Sequence, residues 1–155
     1  MNKYQKIFLT FFYTGLSPKA PGTMGTLASI PFGLLFLHYL GPWLLMLITI
    51  VTTIIAIRVV DSYEAISETH DNQQIVIDET VGVWTTIFIT SFFVKDILIL
   101  SILSFLLFRL YDITKPLFIG YIDKEISGGN GVILDDILAG IFAGITNIII
   151  IYFLF

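Results

Sequence analysis

Apolar blocks dominate this sequence, and short polar interruptions divide it into elements. Residues 4–16 are amphipathic and aromatic. They are too short to span a bilayer and predict a helix lying at the membrane interface, with Tyr4 and Lys6 at headgroup level. Residues 15–31 are rich in Gly, Pro, Ser and Thr and predict a loop. Residues 27–60 are almost continuously apolar, broken by Gly41-Pro42. That length is too great for one span and predicts a hairpin, about 27–40 out and 43–60 back. Residues 61–74 are the most polar segment and predict a solvated extension of the second helix followed by a loop. Residues 75–94 predict a third span. Lys95-Asp96 marks a turn, and a fourth helix returns over 97–110. Pro116 ends that helix at or before Lys115. Residues 117–131 predict a loop, and about 132–155 a last, strongly apolar helix in which Gly140 and Gly144 form a small-residue packing face. The sum is an all-α, polytopic integral membrane protein with about five transmembrane helices and an N-terminal interfacial helix, forming one domain over residues 1–155.

Composition strengthens this picture. Charged residues make up 13%, about half of the ~25% usual in soluble domains, and mean hydropathy is +0.91. The absence of cysteine excludes a disulfide framework and thiolate chemistry. A net charge of −4 and the lack of a basic stripe argue against nucleic acid as a partner. Met1–Leu16 shows no small-residue cleavage pattern of a signal peptide.

Charge then orients the hairpins. With the N-terminus on one side, Lys3, Lys6, Lys19, Arg58, Arg109, Lys115 and Lys124 all return to that side, and only Lys95 faces the other. A split of seven to one predicts that this side is cytoplasmic. Eleven of the twelve acids, all but Asp96, fall there too, so every polar cluster gathers at one face of the membrane.

Some of these acids are oddly placed. Asp78-Glu79 is embedded among apolar residues, and Asp135-Asp136 opens the last span in its expected first turn. A helix-dipole contribution to acids there is under about 1 kcal/mol, less than the several kcal/mol that burying a charge near lipid can cost. Arg109 and Asp112 are three apart and share a helix face, with Lys115 three further on. They form either a snorkelling edge or the wall of a polar site. Five carboxylates from three helix ends cannot all stay ionised together without a cation. With no Cys and no plausible His pair, they select Mg²⁺ or Mn²⁺ over Zn²⁺. Acids, a hard cation and basic residues together make a constellation for phosphoryl transfer or hydrolysis. His70-Asp71 is a weak metal signal beside it. The Gly22–Thr26 stretch with Lys19 would cradle an anion at a helix N-terminus, although its composition favours a plain Pro/Gly turn.

Four motifs, in order, resemble the phosphatidylglycerophosphatase A family over about residues 13–145. They are Pro21-Gly22-Thr23-Met24-Gly25-Thr26-Leu27, Asp78-Glu79-x-x-Gly82, Arg109-x-x-Asp112-x-x-Lys115-Pro116, and Gly128-Gly129-x-Gly131-x-x-x-Asp135-Asp136-x-x-Ala139-Gly140. Each is weak alone, and together they are specific. Thr26 stands where many members carry Ser and keeps the hydroxyl. Ser127 stands where some carry His, which argues against a His nucleophile.

The resemblance implies Mg²⁺-dependent removal of the terminal phosphate of phosphatidylglycerophosphate, a lipid substrate, at the bacterial inner membrane. The product would be phosphatidylglycerol, on the route to cardiolipin. Asp78, Glu79, Asp112, Asp135 and Asp136 are the expected metal ligands and catalytic acids, with Asp136 as the candidate general base. Lys19, Thr23, Thr26, Arg109, Lys115, Gly128 and Gly129 are the expected phosphate and substrate contacts. An aspartyl-phosphate route is the mechanistic rival. The alternative functions are an ion- or proton-coupled transporter using the clustered acids, a lipid phosphotransferase and a membrane scaffold.

Overall fold

A computed structural model describes residues 1–67 and 73–154. Glu68, His70 and Asp71, and with them the weak His-Asp metal signal, lie outside the described residues. The described chain forms α1 (Lys3–Leu9), a 3-10 turn (Thr14–Leu16), α2 (Pro21–Leu40), α3 (Pro42–Ser67), α4 (Ile77–Thr90), α5 (Ile97–Thr114), α6 (Phe118–Glu125) and α7 (Gly128–Leu154). Four of them, α2, α3, α5 and α7, are long and apolar enough to cross a membrane.

The interfacial helix is shorter than expected. Asn2 caps α1 with a capping box: its Oδ1 accepts from the Gln5 N–H at 2.8 Å, and its own N–H donates to Gln5 Oε1 at 2.9 Å. Phe11, Phe12 and Tyr13 then take positive φ values of 39°, 55° and 70°. Non-glycine residues in this region cost about 1–3 kcal/mol each. The turn is held from both sides: the Gly15 N–H donates to the Thr10 carbonyl at 3.0 Å, and the Val76 N–H donates to the Leu9 carbonyl at 2.8 Å.

Three boundaries differ from the sequence reading, each for a local reason. Helix α2 begins at Pro21, well inside the expected loop. Proline is pre-organised for the first helical position, where its missing N–H costs nothing, and the Thr26 hydroxyl donates back to the Gly22 carbonyl at 2.8 Å. Helix α7 begins at Gly128 rather than at about 132, which moves Asp135 and Asp136 out of its first turn. The loop before it contains the short helix α6.

The third correction concerns α4. At 14 residues it is about 21 Å long, against a hydrocarbon core of roughly 30 Å. It stops at Thr90 because the N–H groups of Phe93 and Val94 fold back onto the Thr90 carbonyl, and Asp96 then caps α5 by accepting from the Ile99 N–H at 2.9 Å. Helix α4 is the central post of the bundle. Nine of its residues, from Ile77 to Thr90, are buried, and it packs against α2, α3, α5 and α7. Small residues make this possible. A Cβ on Gly140 would lie 2.3 Å from the Gly82 carbonyl oxygen, and one on Gly144 would lie 2.7 Å from Ile89 Cβ. The expected packing face of α7 is therefore turned onto α4. The indole of Trp84 donates to the Ser29 carbonyl of α2 at 2.8 Å. The connection after α4, with Lys95, shares a recess with His38 and Pro42 of the α2–α3 turn. The acids in the first turn of α4 lie at its other end.

Candidate active site

At the N-terminal end of α4 a cavity of about 460 Å³ opens. Six elements build it. Helix α2 supplies Pro21 and Gly22, α3 supplies Glu64, and α4 supplies Asp78 and Glu79. Helix α5 with its C-cap supplies Arg109, Asp112 and Lys115, while α6 supplies Asp123 and α7 supplies Asp135 and Asp136. Seven carboxylates and two cationic side chains thus share one space.

Asp78, Glu79 and Asp136 each place a carboxylate oxygen within 4.8 Å of the others. Adjacent positions in the first turn of α4 supply two of these oxygens, and α7 brings the third across the Gly82–Gly140 contact. Gly22 permits the approach of α2, because a Cβ there would stand 2.1 Å from Glu79 Oε1. Two cations pair with three of the remaining acids. Arg109 is ion-paired with Asp112 and lies 3.7 Å from Glu79 Oε1. Lys115 Nζ donates to Asp135 Oδ2 at 2.7 Å and also pairs with Asp123. Burial alone would lower the basicity of Lys115, but its hydrogen bonds to Asp123 and Asp135 outweigh that and raise its pKa above the ordinary lysine value. Lys115 ends α5 in a left-handed conformation, with φ of 41°, and so turns off the helix axis toward α6 and α7.

The donor set fits a hard divalent cation. Among the described residues the cavity lining contains no Cys or His, and carboxylate oxygens select Mg²⁺ or Mn²⁺. Glu79 Oε2 and Asp135 Oδ1 are buried without a hydrogen-bond partner among the described residues, which leaves anionic oxygens available to a cation. Three carboxylates this close would otherwise repel one another strongly.

Seven of the residues singled out from sequence meet here: Asp78, Glu79, Arg109, Asp112, Lys115, Asp135 and Asp136. Five expected substrate contacts do not line the cavity. Lys19 is exposed on the segment before α2, and Thr23 lies in its first turn. Thr26 is fully buried, with its hydroxyl spent on the Gly22 carbonyl. Gly128 and Gly129 lie against Asp61 and Ile57 of α3. Sequence reasoning missed Glu64 and Asp123 as wall residues. Asp123 is eight positions from Lys115, a spacing that no helical periodicity marks, since the break at Pro116 lies between them.

Residues 7–151 match the phosphatidylglycerophosphatase A family. The chain belongs to that family. It is 36% identical over 133 residues to phosphatidylglycerophosphatase A of Escherichia coli K12, covering 85% of this chain and 74% of the relative. It is 35% identical over 144 residues to the protein of the same name from Haemophilus influenzae, covering 92% and 86%. A Bacteroides thetaiotaomicron protein carrying the provisional name phosphatidylinositol-3-phosphatase is 34% identical over 146 residues, covering 86% and 85%. No solved structure matches the chain. As a member of the phosphatidylglycerophosphatase A family the chain is a membrane-spanning phosphatase of lipid metabolism. The transporter alternative finds no support in these relatives or in a site whose acids surround a single cavity at one end of the bundle.

Proposed function

We propose that this chain hydrolyses the terminal phosphomonoester of phosphatidylglycerophosphate. The reaction yields phosphatidylglycerol and inorganic phosphate, depends on Mg²⁺, and serves phospholipid biosynthesis at the cytoplasmic face of the bacterial inner membrane. The observation that carries this reading is the convergence of Asp78, Glu79 and Asp136 beside Arg109 and Lys115 in one cavity. The seven-to-one split of basic residues supports the cytoplasmic placement.

Asp78, Glu79 and Asp136 would hold Mg²⁺, and Asp112 stands next to Asp136 as a further oxygen donor. Bound there, the ion would supply charge neutralisation and a more acidic water. The chain's own groups do the rest. Arg109 and Lys115 neutralise charge on the equatorial phosphate oxygens as the transition state forms. Asp135 keeps one oxygen on Lys115 and a second, buried and without a hydrogen-bond partner among the described residues, beside the cavity. That second oxygen accepts the proton of the attacking water. Water oxygen bonds to phosphorus, the bond from phosphorus to the glycerol oxygen breaks, and the glycerol oxygen takes a proton from solvent. Asp136 is the base expected from the sequence; because it belongs to the carboxylate trio, we assign that task to Asp135 instead.

The test is phosphate release by the purified protein from phosphatidylglycerophosphate, with and without Mg²⁺, with phosphatidic acid as competitor. Release that needs Mg²⁺ and resists the competitor supports the assignment. Equal turnover of phosphatidic acid would overturn the headgroup specificity, and full activity in chelator would overturn the metal dependence.

A further inference from the structure

We propose that Asp61, on α3 outside the carboxylate trio, is a positioning residue that seats α7 and thereby places Asp135 and Asp136; the inference rests on the phosphatase reading of the site. Asp61 Oδ1 accepts a hydrogen bond from the Gly129 N–H at 2.7 Å. That N–H belongs to the first turn of α7, where backbone donors have no partner within the helix. A carboxylate there satisfies the donor and favours the positive end of the helix dipole. Asp61 thus caps a helix to which it is not attached.

The two glycines make that cap possible. Gly128 has φ of +74°, and a Cβ on it would stand 2.9 Å from the same Asp61 oxygen. A Cβ on Gly129 would stand 2.3 Å from the Ile57 carbonyl oxygen. Ile57 and Asp61 are four apart and share one face of α3. The start of α7 therefore rests on a single turn of α3, with its height fixed by one carboxylate. Gly129 and Asp136 are seven residues apart, about two helical turns or roughly 10 Å. A helix transmits displacement at its end to side chains two turns away, because its backbone ladder is stiff. The glycine run and Asp61 are thus one device, and the glycines serve helix seating rather than direct phosphate contact.

The experiment compares Asp61→Ala and Asp61→Asn with the unaltered chain. Asparagine keeps the accepting oxygen and loses the charge. Asp61→Ala should lower kcat by about threefold to thirtyfold, the loss that corresponds to removing a helix cap. It should raise the Mg²⁺ concentration for half-maximal activity and leave the KM for lipid unchanged. Asp61→Asn should restore most of both. Binding of Mn²⁺ followed by electron paramagnetic resonance gives a readout independent of turnover, and the Ala variant should bind it more weakly. Unchanged Mn²⁺ affinity and Mg²⁺ requirement in Asp61→Ala would overturn the proposal, as would an Asn variant as impaired as the Ala variant. If Asp61→Ala does not fold, Asp61→Asn decides alone, within about twofold of the unaltered chain or not. Absence of phosphate release by the unaltered chain would instead defeat the phosphatase reading, and the Mn²⁺ comparison would still judge Asp61.

Discussion

Gly82 and Gly140 meet where α4 crosses α7, so closely that a Cβ on Gly140 would stand 2.3 Å from the Gly82 carbonyl oxygen. The Thr86 hydroxyl spans the same crossing, 3.1 Å from the Gly140 carbonyl. This crossing sets the distance between Asp78-Glu79 on one helix and Asp136 on the other. Gly140→Ala should therefore destabilise the fold by about 1–3 kcal/mol, the usual cost of overpacking a tight core. A thermal unfolding series in detergent reads it. A midpoint equal to that of the unaltered chain would mean that the helices do not touch here.

Asp136 should be the least replaceable acid, because it alone brings α7 into the trio with Asp78 and Glu79. Asp136→Asn keeps the shape and removes the charge. Phosphate release should fall by at least about 10²-fold, the lower end for loss of a directly participating group. Asp123→Asn is the control: it touches Lys115 from the exposed side and should cost less than about tenfold. Equal losses in the two variants would contradict the trio as the centre of the chemistry.

Chelator should abolish activity reversibly. Mg²⁺ or Mn²⁺ should restore it, and Zn²⁺ should restore it poorly, because the lining offers carboxylate oxygens without Cys or His among the described residues. Phosphate release during stepwise metal addition reads the order. Full rescue by Zn²⁺ alone would contradict the hard-cation site.

The elevated pKa of Lys115 makes a sign-specific prediction. Its charge is complete below the unfolded lysine value of about 10.4 and is lost only as pH rises through the higher folded value. The advantage of the unaltered chain over Lys115→Met should then hold at roughly 10²-fold from about pH 6 to about pH 11, past the ordinary lysine value of about 10.4. Parallel pH–rate profiles measure it. An advantage that has fallen by half near about pH 10.4 would mean that Lys115 titrates like an ordinary surface lysine.

The span-forming blocks were legible because apolar length is a direct imprint of the bilayer. The acids of the site were legible for the opposite reason, since Asp78-Glu79 and Asp135-Asp136 are polar where the pattern calls for apolar residues. Helix starts were not legible at Pro21 and Gly128, because Gly and Pro mark turns in water but also permit close helix contact within a bundle. Gly22 against Glu79 and Gly129 against Ile57 are such contacts. For that reason Thr26, Gly128 and Gly129 resemble phosphate contacts in the sequence, whereas in the fold Thr26 is buried on the Gly22 carbonyl and the two glycines lie against α3. Asp123 and Asp61 escaped notice because each acts across a tertiary contact, to Lys115 and to Gly129, that no local spacing encodes.

The shortness of α4 also bears on how the protein is assembled. Longer helices can enter a bilayer singly and associate afterwards, but a 14-residue helix whose threonines bond to its own backbone and to α7 has no stable place alone in lipid. It must be carried in by its neighbours, between α3 before it and α5 after it. The first acid pair therefore reaches its station only when the outer helices have closed around it. Insertion, packing and completion of the catalytic cluster become one event, so a half-assembled chain carries no partial site.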